Sequence, residues 1–258
     1  MLAAVSRDTA KLTGGISGSG WTRPGTVQVE PIARLTQDGK WIALPCSSNN
    51  PKPCRQFERD YLSKPHIYTV ISADGRGATV HATPTKLDEC YGYTGTGTYS
   101  GPSIQKFAIA AGSTPFFAES SPPRLLTHAE SAAIRKALTV LVPKKLDSTE
   151  QLRIFSLRLE GQNLFVVQRA FSDIADPIND NLKLIFTIGA MRQDRFHVLY
   201  WKQDIEDENE RVLGAIRLKN GREFLITSIT DPESQIFHVY GIRNGRLTLV
   251  FSGGGSSC

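Results

Sequence analysis

The chain has 258 residues, 40% of them apolar and 21% charged, with a formal net charge of +5. That is the composition of a globular protein long enough for one large β domain or two smaller ones. No apolar run approaches the roughly 20 residues of a membrane helix. Lys and Arg are scattered, with Arg135-Lys136 and Lys144-Lys145 the only basic pairs, so no nucleic-acid footprint stands out.

Residues 1–28 are expected to be a flexible leader. Met1-Leu2-Ala3-Ala4-Val5-Ser6 is too short for a signal peptide but fits the remnant of one already removed. A glycine-rich stretch, Gly14 to Gly20, follows. Residues 29–145 form a β-rich N-terminal region. Pro31 to Leu35 and Trp41 to Leu44 flank Gln37-Asp38-Gly39-Lys40 as a hairpin. His66 to Ser72 and Ala78 to Ala82 make a second hairpin across Asp74-Gly75. Tyr91 to Tyr99 alternates small and aromatic residues, which suits a glycine-rich strand or an extended loop. Ile104 to Ala110 is one more strand.

The four cysteines, Cys46, Cys54, Cys90 and Cys258, are an even number and allow three disulfide connectivities. Cys46 and Cys54 bracket a polar, proline-rich segment that a bridge would close into a small loop, at a gain of about 2–3 kcal/mol. Cys90 and Cys258 then pair by elimination, pinning the glycine-rich C-terminal tail to the N-terminal half. Disulfides point to an oxidising compartment.

One helix is expected, near residues 128–142. Thr127-His128-Ala129-Glu130 is a capping box. Ile134, Leu138, Leu141 and Val142 then recur at helical spacing, and Pro143 ends the run. The polar stretch Pro143 to Gln151 links to a C-terminal antiparallel β-repeat region, 152–258. Its strands are Leu164 to Val167, Leu182 to Ile188, Phe196 to Trp201, Val212 to Leu218, Glu223 to Ile229, Phe237 to Ile242 and Leu247 to Phe251. Asn220-Gly221 and Asn244-Gly245 suit type I′ turns, while Asp176-Pro177 and Asp231-Pro232 mark longer loops.

Two registers of internal repetition compete in this region. At an offset of 41, Leu184 to Ile188 falls on Leu225 to Ile229, and Phe196-His197-Val198 on Phe237-His238-Val239. At an offset of 59, Leu157 to Val167 falls on Ile216 to Ile226. The first is favoured, and its period lies in the range of propeller blades and similar arrays.

Phosphate-loop, serine-elbow and local zinc motifs are all missing. His197 and His238 are the candidate metal ligands. Each sits between a Phe and a Val on a strand and so faces the opposite side from both. The acidic run Asp204-Ile205-Glu206-Asp207-Glu208-Asn209-Glu210 lacks the glycine of a tight calcium loop and is expected to be a solvated hairpin loop. Glu89, beside Cys90, Tyr91 and Tyr93, suits a sugar-binding surface or a strand edge.

Gly214-Ala215-Ile216-Arg217-Leu218-Lys219-Asn220-Gly221-Arg222-Glu223-Phe224-Leu225-Ile226 resembles the core of FG-GAP/VCBS-type repeats. The resemblance implies a strand-turn-strand unit of a propeller blade in a secreted or cell-surface protein. The calcium-binding aspartates of that turn are replaced here by Leu218, Asn220 and Arg222. Phe237 to Tyr240, running on to Phe251-Ser252-Gly253-Gly254, is similar to the ending of uncharacterised secreted bacterial proteins.

The expectation is a mainly β, antiparallel meander, open to a propeller-like arrangement, with one short helix. No catalytic residue and no cofactor are assigned. The expected function is that of a secreted or periplasmic, non-enzymatic binding or interaction module. Its expected partners are a carbohydrate or an envelope protein, with no nucleic acid and no membrane span. The alternatives are an extracellular hydrolase acting on polysaccharide or envelope material and a metal-binding protein using the strand histidines.

Overall fold

The computed structural model describes residues 2–7, 25–36, 40–45, 51–71, 77–83, 86–87, 93–100, 107–112, 116–117, 126–141, 151–172, 182–204, 209–218, 221–230 and 235–254. Over these residues the chain is mainly β, with antiparallel sheets and two short helices. The N-terminal part contributes β1 (Leu2–Arg7), β2 (Gly25–Leu35) and β3 (Trp41–Ala43). After α1 (Pro51–Phe57) come β4 (His66–Ile71), β5 (Gly77–Ala82), β6 (Lys86–Leu87), β7 (Tyr93–Ser100) and β8 (Phe107–Gly112). They form one curled sheet in the order β3-β2-β1-β8-β4-β5-β7-β6. β2 also pairs with β7, Gly25–Val29 lying along Gly95–Tyr99. Pairing therefore runs from β2 through β1, β8, β4, β5 and β7 and returns to β2. In β7, Tyr93, Gly97 and Tyr99 are buried while Thr96 and Thr98 are exposed, the period of two that a strand imposes.

Two expectations change here. The leader was expected to run through residue 28. Instead Leu2–Arg7 is a strand between β2 and β8, and β2 begins at Gly25. Gly14 to Gly20 lies outside the described residues. The second change is α1, where no helix was expected. Pro51 and Pro53 occupy its first turn, where backbone N–H groups have no intrahelical acceptor to lose. The helix runs on into a π-helical turn, Glu58–Leu62. Its apolar positions Cys54, Phe57 and Leu62 bury against Tyr93 and Leu44, and the Tyr93 hydroxyl donates to the Cys54 carbonyl at 3.1 Å. Burial of a spaced apolar face overrode the polar, proline-rich local composition. Cys54 is fully buried. Cys46, Cys90 and Cys258 lie outside the described residues.

The strand β9 (Phe116–Phe117) precedes the expected helix, α2 (His128–Leu141). Its capping box is present. The Thr127 N–H donates to Glu130 Oε2 at 2.9 Å, and the Glu130 N–H donates to Thr127 Oγ1 at 3.2 Å. Pro143 lies outside the described residues.

The C-terminal part is two consecutive four-stranded meanders. The first is β10 (Gln151–Leu159), β11 (Gln162–Ser172), β12 (Leu182–Arg192) and β13 (Arg195–Asp204). The second is β14 (Asn209–Leu218), β15 (Glu223–Thr230), β16 (Gln235–Arg243) and β17 (Arg246–Gly253), extended by β9 alongside β14. Three of the hairpins turn through two residues of positive φ, the type I′ geometry that matches strand twist. These are Glu160-Gly161 (48°, 73°), Gln193-Asp194 (49°, 59°) and Asn244-Gly245 (52°, 71°). Asn220 of the expected Asn220-Gly221 turn lies outside the described residues, and the β14–β15 hairpin is closed by hydrogen bonds of the residues around it. The Leu218 N–H donates to the Arg222 carbonyl at 2.7 Å and the Gly221 N–H to the Leu218 carbonyl at 2.9 Å.

The two meanders pack face to face. Leu159, Leu164, Val166, Phe186 and Ile188 of the first meet Ala215, Leu225, Tyr240 and Leu247 of the second. α2 covers the outer face of the first through Ile134 and Leu138, against Phe165, Val167 and Phe196. Ile32, Ala33 and Trp41 of the β2–β3 hairpin cover the outer face of the second, against Phe224, Ile226, Phe237 and Phe251. Four layers result, and the meanders are the inner two.

This arrangement corrects the repeat register. The 41-residue match equates β12 and β13, the third and fourth strands of their meander, with β15 and β16, the second and third of theirs. The 59-residue match equates β10–β11 with β14–β15, the first hairpin of each. Short apolar strands resemble one another whatever their rank, so local likeness favoured the register that the sheets do not follow.

Candidate functional site

A buried polar cluster lies between the two meanders. Glu210 stands near the start of β14, where the chain has just crossed from the first sheet to the second. Strand alternation puts Glu210 and Val212 on one face, and Val212 packs into the core between the sheets. Thr227 and His238 are register partners on β15 and β16. Tyr240 lies two residues beyond His238, on the same face.

Tyr200 arrives from the other sheet by way of a β-bulge. Phe196 and Val198 face α2, so unbroken alternation would turn Tyr200 toward the helix as well. The register shifts between Ile188 and Gly189, however. Leu199 and Tyr200 then both face the second sheet. An extra residue in one strand re-aims the side chain that follows.

The Glu210 side chain is 0% exposed. Thr227 Oγ1 donates to its Oε1 at 2.7 Å, Tyr240 O–H to the same oxygen at 3.0 Å, and Tyr200 O–H points at Oε2 at 3.5 Å. His238 Nδ1 lies 3.8 Å from Oε1 and 3.1 Å from the Tyr240 oxygen. The tyrosine hydroxyls are 3.3 Å apart. Tyr240 has one proton and three possible acceptors within reach, Glu210 Oε1, the Tyr200 oxygen and His238 Nδ1. The carboxylate takes it, because a charged acceptor makes the stronger bond. The Tyr240 oxygen is then an acceptor for His238 Nδ1–H. The buried charge thereby favours the tautomer protonated on Nδ1 and leaves the lone pair on Nε2.

Burial alone would raise the Glu210 carboxyl. The His238 imidazole and the Thr227 and Tyr240 hydroxyls outweigh it and hold the group below the ordinary carboxylate range. Tyr240 moves the other way, far above the usual phenol value. Burial is the largest cause, followed by the Tyr200 hydroxyl and the Glu210 charge. The cluster therefore holds an ionised carboxylate among neutral phenols.

No family model, curated protein or solved structure matches this chain. The chemistry of the site is read from its own geometry. Glu210 is closed to solvent and already ligated by protein hydroxyls, so it presents no free face to a substrate. His238, with 17% of its side chain exposed, is where the cluster reaches the surface.

The two candidate histidines face as alternation requires. Phe237 and Val239 lie in the core beneath the N-terminal hairpin, and His238 points to the opposite face. His197 is exposed, opposite Ala190 on β12. They do not occupy equivalent places, because β13 borders its sheet while β16 lies inside its own. Among the described residues no group of three or more His, Cys, Asp and Glu side chains could hold a metal ion. The acidic run does not end as a solvated loop, since Glu210 is buried; residues 205–208 and Glu89 lie outside the described residues. Glu210 was the residue missed. Its signal was a glutamate two positions before Val212, on the strand face that Val212 and Ala215 share.

A second polar tie joins the sheets at the opposite end of the β14–β15 hairpin. The Glu160 N–H, in the β10–β11 turn, donates to the Glu223 carboxylate. Glu223 also pairs with Arg217 at 3.5 Å. Partial burial, with Glu223 close by, raises the Glu160 carboxyl against the pull of Arg222.

Proposed function

We propose that the chain is a non-enzymatic binding or interaction module that works outside the cytoplasm. The observation that carries this reading is the closure of Glu210. The cluster of ionisable groups that the fold assembles is turned inward and spent on holding two sheets together. A catalytic carboxylate must instead meet its substrate within hydrogen-bond reach. Among the described residues several large apolar side chains stay exposed, among them Trp201, 47% exposed on the border strand β13. An aromatic ring offers a large contact area at low entropic cost. A carbohydrate or envelope protein is the partner class that suits such a surface.

The extracellular or periplasmic setting is part of the same proposal. It rests on the even cysteine count, with Cys46–Cys54 and Cys90–Cys258 as the proposed bridges, and on the resemblance of residues 214–226 to FG-GAP/VCBS-type repeats. Intact mass after alkylation under denaturing conditions tests it. No alkylation without reductant supports two bridges, and four alkylated thiols would overturn them.

Binding is tested by titrating the chain against immobilised polysaccharides, cell-wall fragments and envelope proteins, with Trp201→Ala in parallel. Saturable binding that weakens in the variant supports the module. Release of soluble fragments from a polysaccharide, abolished by substituting a surface carboxylate, would establish the hydrolase reading instead.

A further inference from the structure

We propose that the Glu210 cluster is an acid-sensitive latch between the two C-terminal sheets, with Tyr200 as its arm. The cluster is lopsided. Glu210, Thr227, His238 and Tyr240 all belong to the second sheet, and among the described residues of the network Tyr200 alone comes from the first. Its contacts are the longest of the hydroxyl set, 3.5 Å to Glu210 Oε2 and 3.3 Å to the Tyr240 oxygen. The network therefore fails first at the inter-sheet contact. At the far end of the β14–β15 hairpin the Glu160–Glu223 tie and the surrounding apolar core hold the sheets together. Loss of the latch accordingly parts one edge and leaves the packing elsewhere in place.

Charge is what makes the latch respond to acid. An ionised carboxylate accepts every hydroxyl that points at it, and such bonds are about twice as strong as neutral ones. Protonation removes the charge and adds a donor to a site already crowded with donors. The titratable groups that face Glu210 are His238 and Tyr240 from β16 and Tyr200 from β13. β15 presents Thr227, which does not titrate, and β17 places Ser252 opposite His238 in register. The His238 imidazole and the Thr227 and Tyr240 hydroxyls hold Glu210 below the ordinary carboxylate range, so release falls in acid, below that range. Opening exposes the inner faces of β13 and β17, Leu199, Tyr200 and Leu247 among them.

Amide hydrogen exchange of the full chain across pH, corrected for intrinsic rates, tests the latch. The wild type should gain exchange in β13 and β17 by about tenfold or more in acid, before β11, β12 and β15 lose protection. Glu210→Gln should show the open edge already at neutral pH, with no further acid step. Tyr200→Phe removes the arm and leaves the carboxylate its other donors. It should open the same edge while unfolding at nearly the wild-type denaturant concentration. Protection lost in a single step across all strands would overturn the latch. So would wild-type exchange in β13 of Tyr200→Phe.

Discussion

Tyr200 and Tyr240 meet hydroxyl to hydroxyl at 3.3 Å although they belong to different sheets. Their rings lie 5.2 Å apart, centre to centre, at a tilt of 54°. This pair marks the place where an apolar interface turns polar, and the carboxylate of Glu210 beneath it explains why. A buried phenol beside a half-buried one needs an acceptor, and a buried carboxylate needs donors.

Substitutions at the carboxylate should cost more than their size suggests. Thr227→Val keeps the side-chain shape but removes the donor 2.7 Å from Glu210. A hydrogen bond to a charged group is worth about 1.5–3 kcal/mol, and that loss is expected. Glu210→Gln should cost a similar amount, and the double variant less than the sum, since both act on one bond. Urea unfolding with an unchanged m-value measures it. A cost below about 0.5 kcal/mol for both single variants would show that the network adds nothing to stability.

Stability should fall at both ends of the pH scale for different reasons. Glu210 has a lower pKa in the folded chain than in the unfolded one. Its contribution is present above the unfolded value, about 4.3, and is lost as pH falls through the folded one. The buried phenols behave oppositely. Burial pushes Tyr68 up to about 12 and Tyr240 higher still. Their contribution is complete below about pH 10 and declines as pH rises toward the folded values. Tyrosinate absorbance followed alongside circular dichroism should show these two phenols ionising only with unfolding.

The β12–β13 turn can be improved. Gln193 and Asp194 both hold positive φ without a glycine, a conformation that costs side-chain-bearing residues energy. Asp194→Gly should raise stability by about 0.5–1 kcal/mol, read as a higher melting temperature. A loss of stability would mean that the Asp194 side chain makes a contact that outweighs the strain.

Gly254 should tolerate no side chain. Its φ is +73°, and a Cβ there would lie 2.6 Å from the Ile32 carbonyl oxygen and 2.9 Å from the Ile32 Cα. Both are backbone atoms of β2, which cannot swing aside. Gly254→Ala should destabilise by about 1–3 kcal/mol, through detachment of the C-terminal tail from the N-terminal sheet. Proteolysis at the tail, faster in the variant than in the wild type, would report that detachment.

Much of the fold was legible in the chain. The capping box of α2 and the Asn244-Gly245 turn are local chemistry, complete within a few residues. The opposite facing of His197 and His238 from their Phe and Val neighbours needs only the strand period. α1 was hidden because its helix forms for the sake of Phe57, Leu62 and Tyr93, whose burial depends on a strand about thirty residues downstream. The 41-residue register misled because apolar strands of different rank share a pattern.

The candidate site was the least legible part, for a physical reason. The residue string establishes strands, turns, the helix cap and the alternation of faces, because each depends on neighbours along the chain. Glu210 looked like the end of a solvated acidic run. Its burial depends on Thr227 from β15 and on His238 and Tyr240 from β16, and on Tyr200 being turned inward by a bulge at Leu199, opposite Ile188 and Gly189. A bulge is one residue of slip between two strands, and it reverses which face every later side chain takes. No short-range signal carries it. The packing of one sheet on the other settles it, and with it where the charge lies and what holds it there.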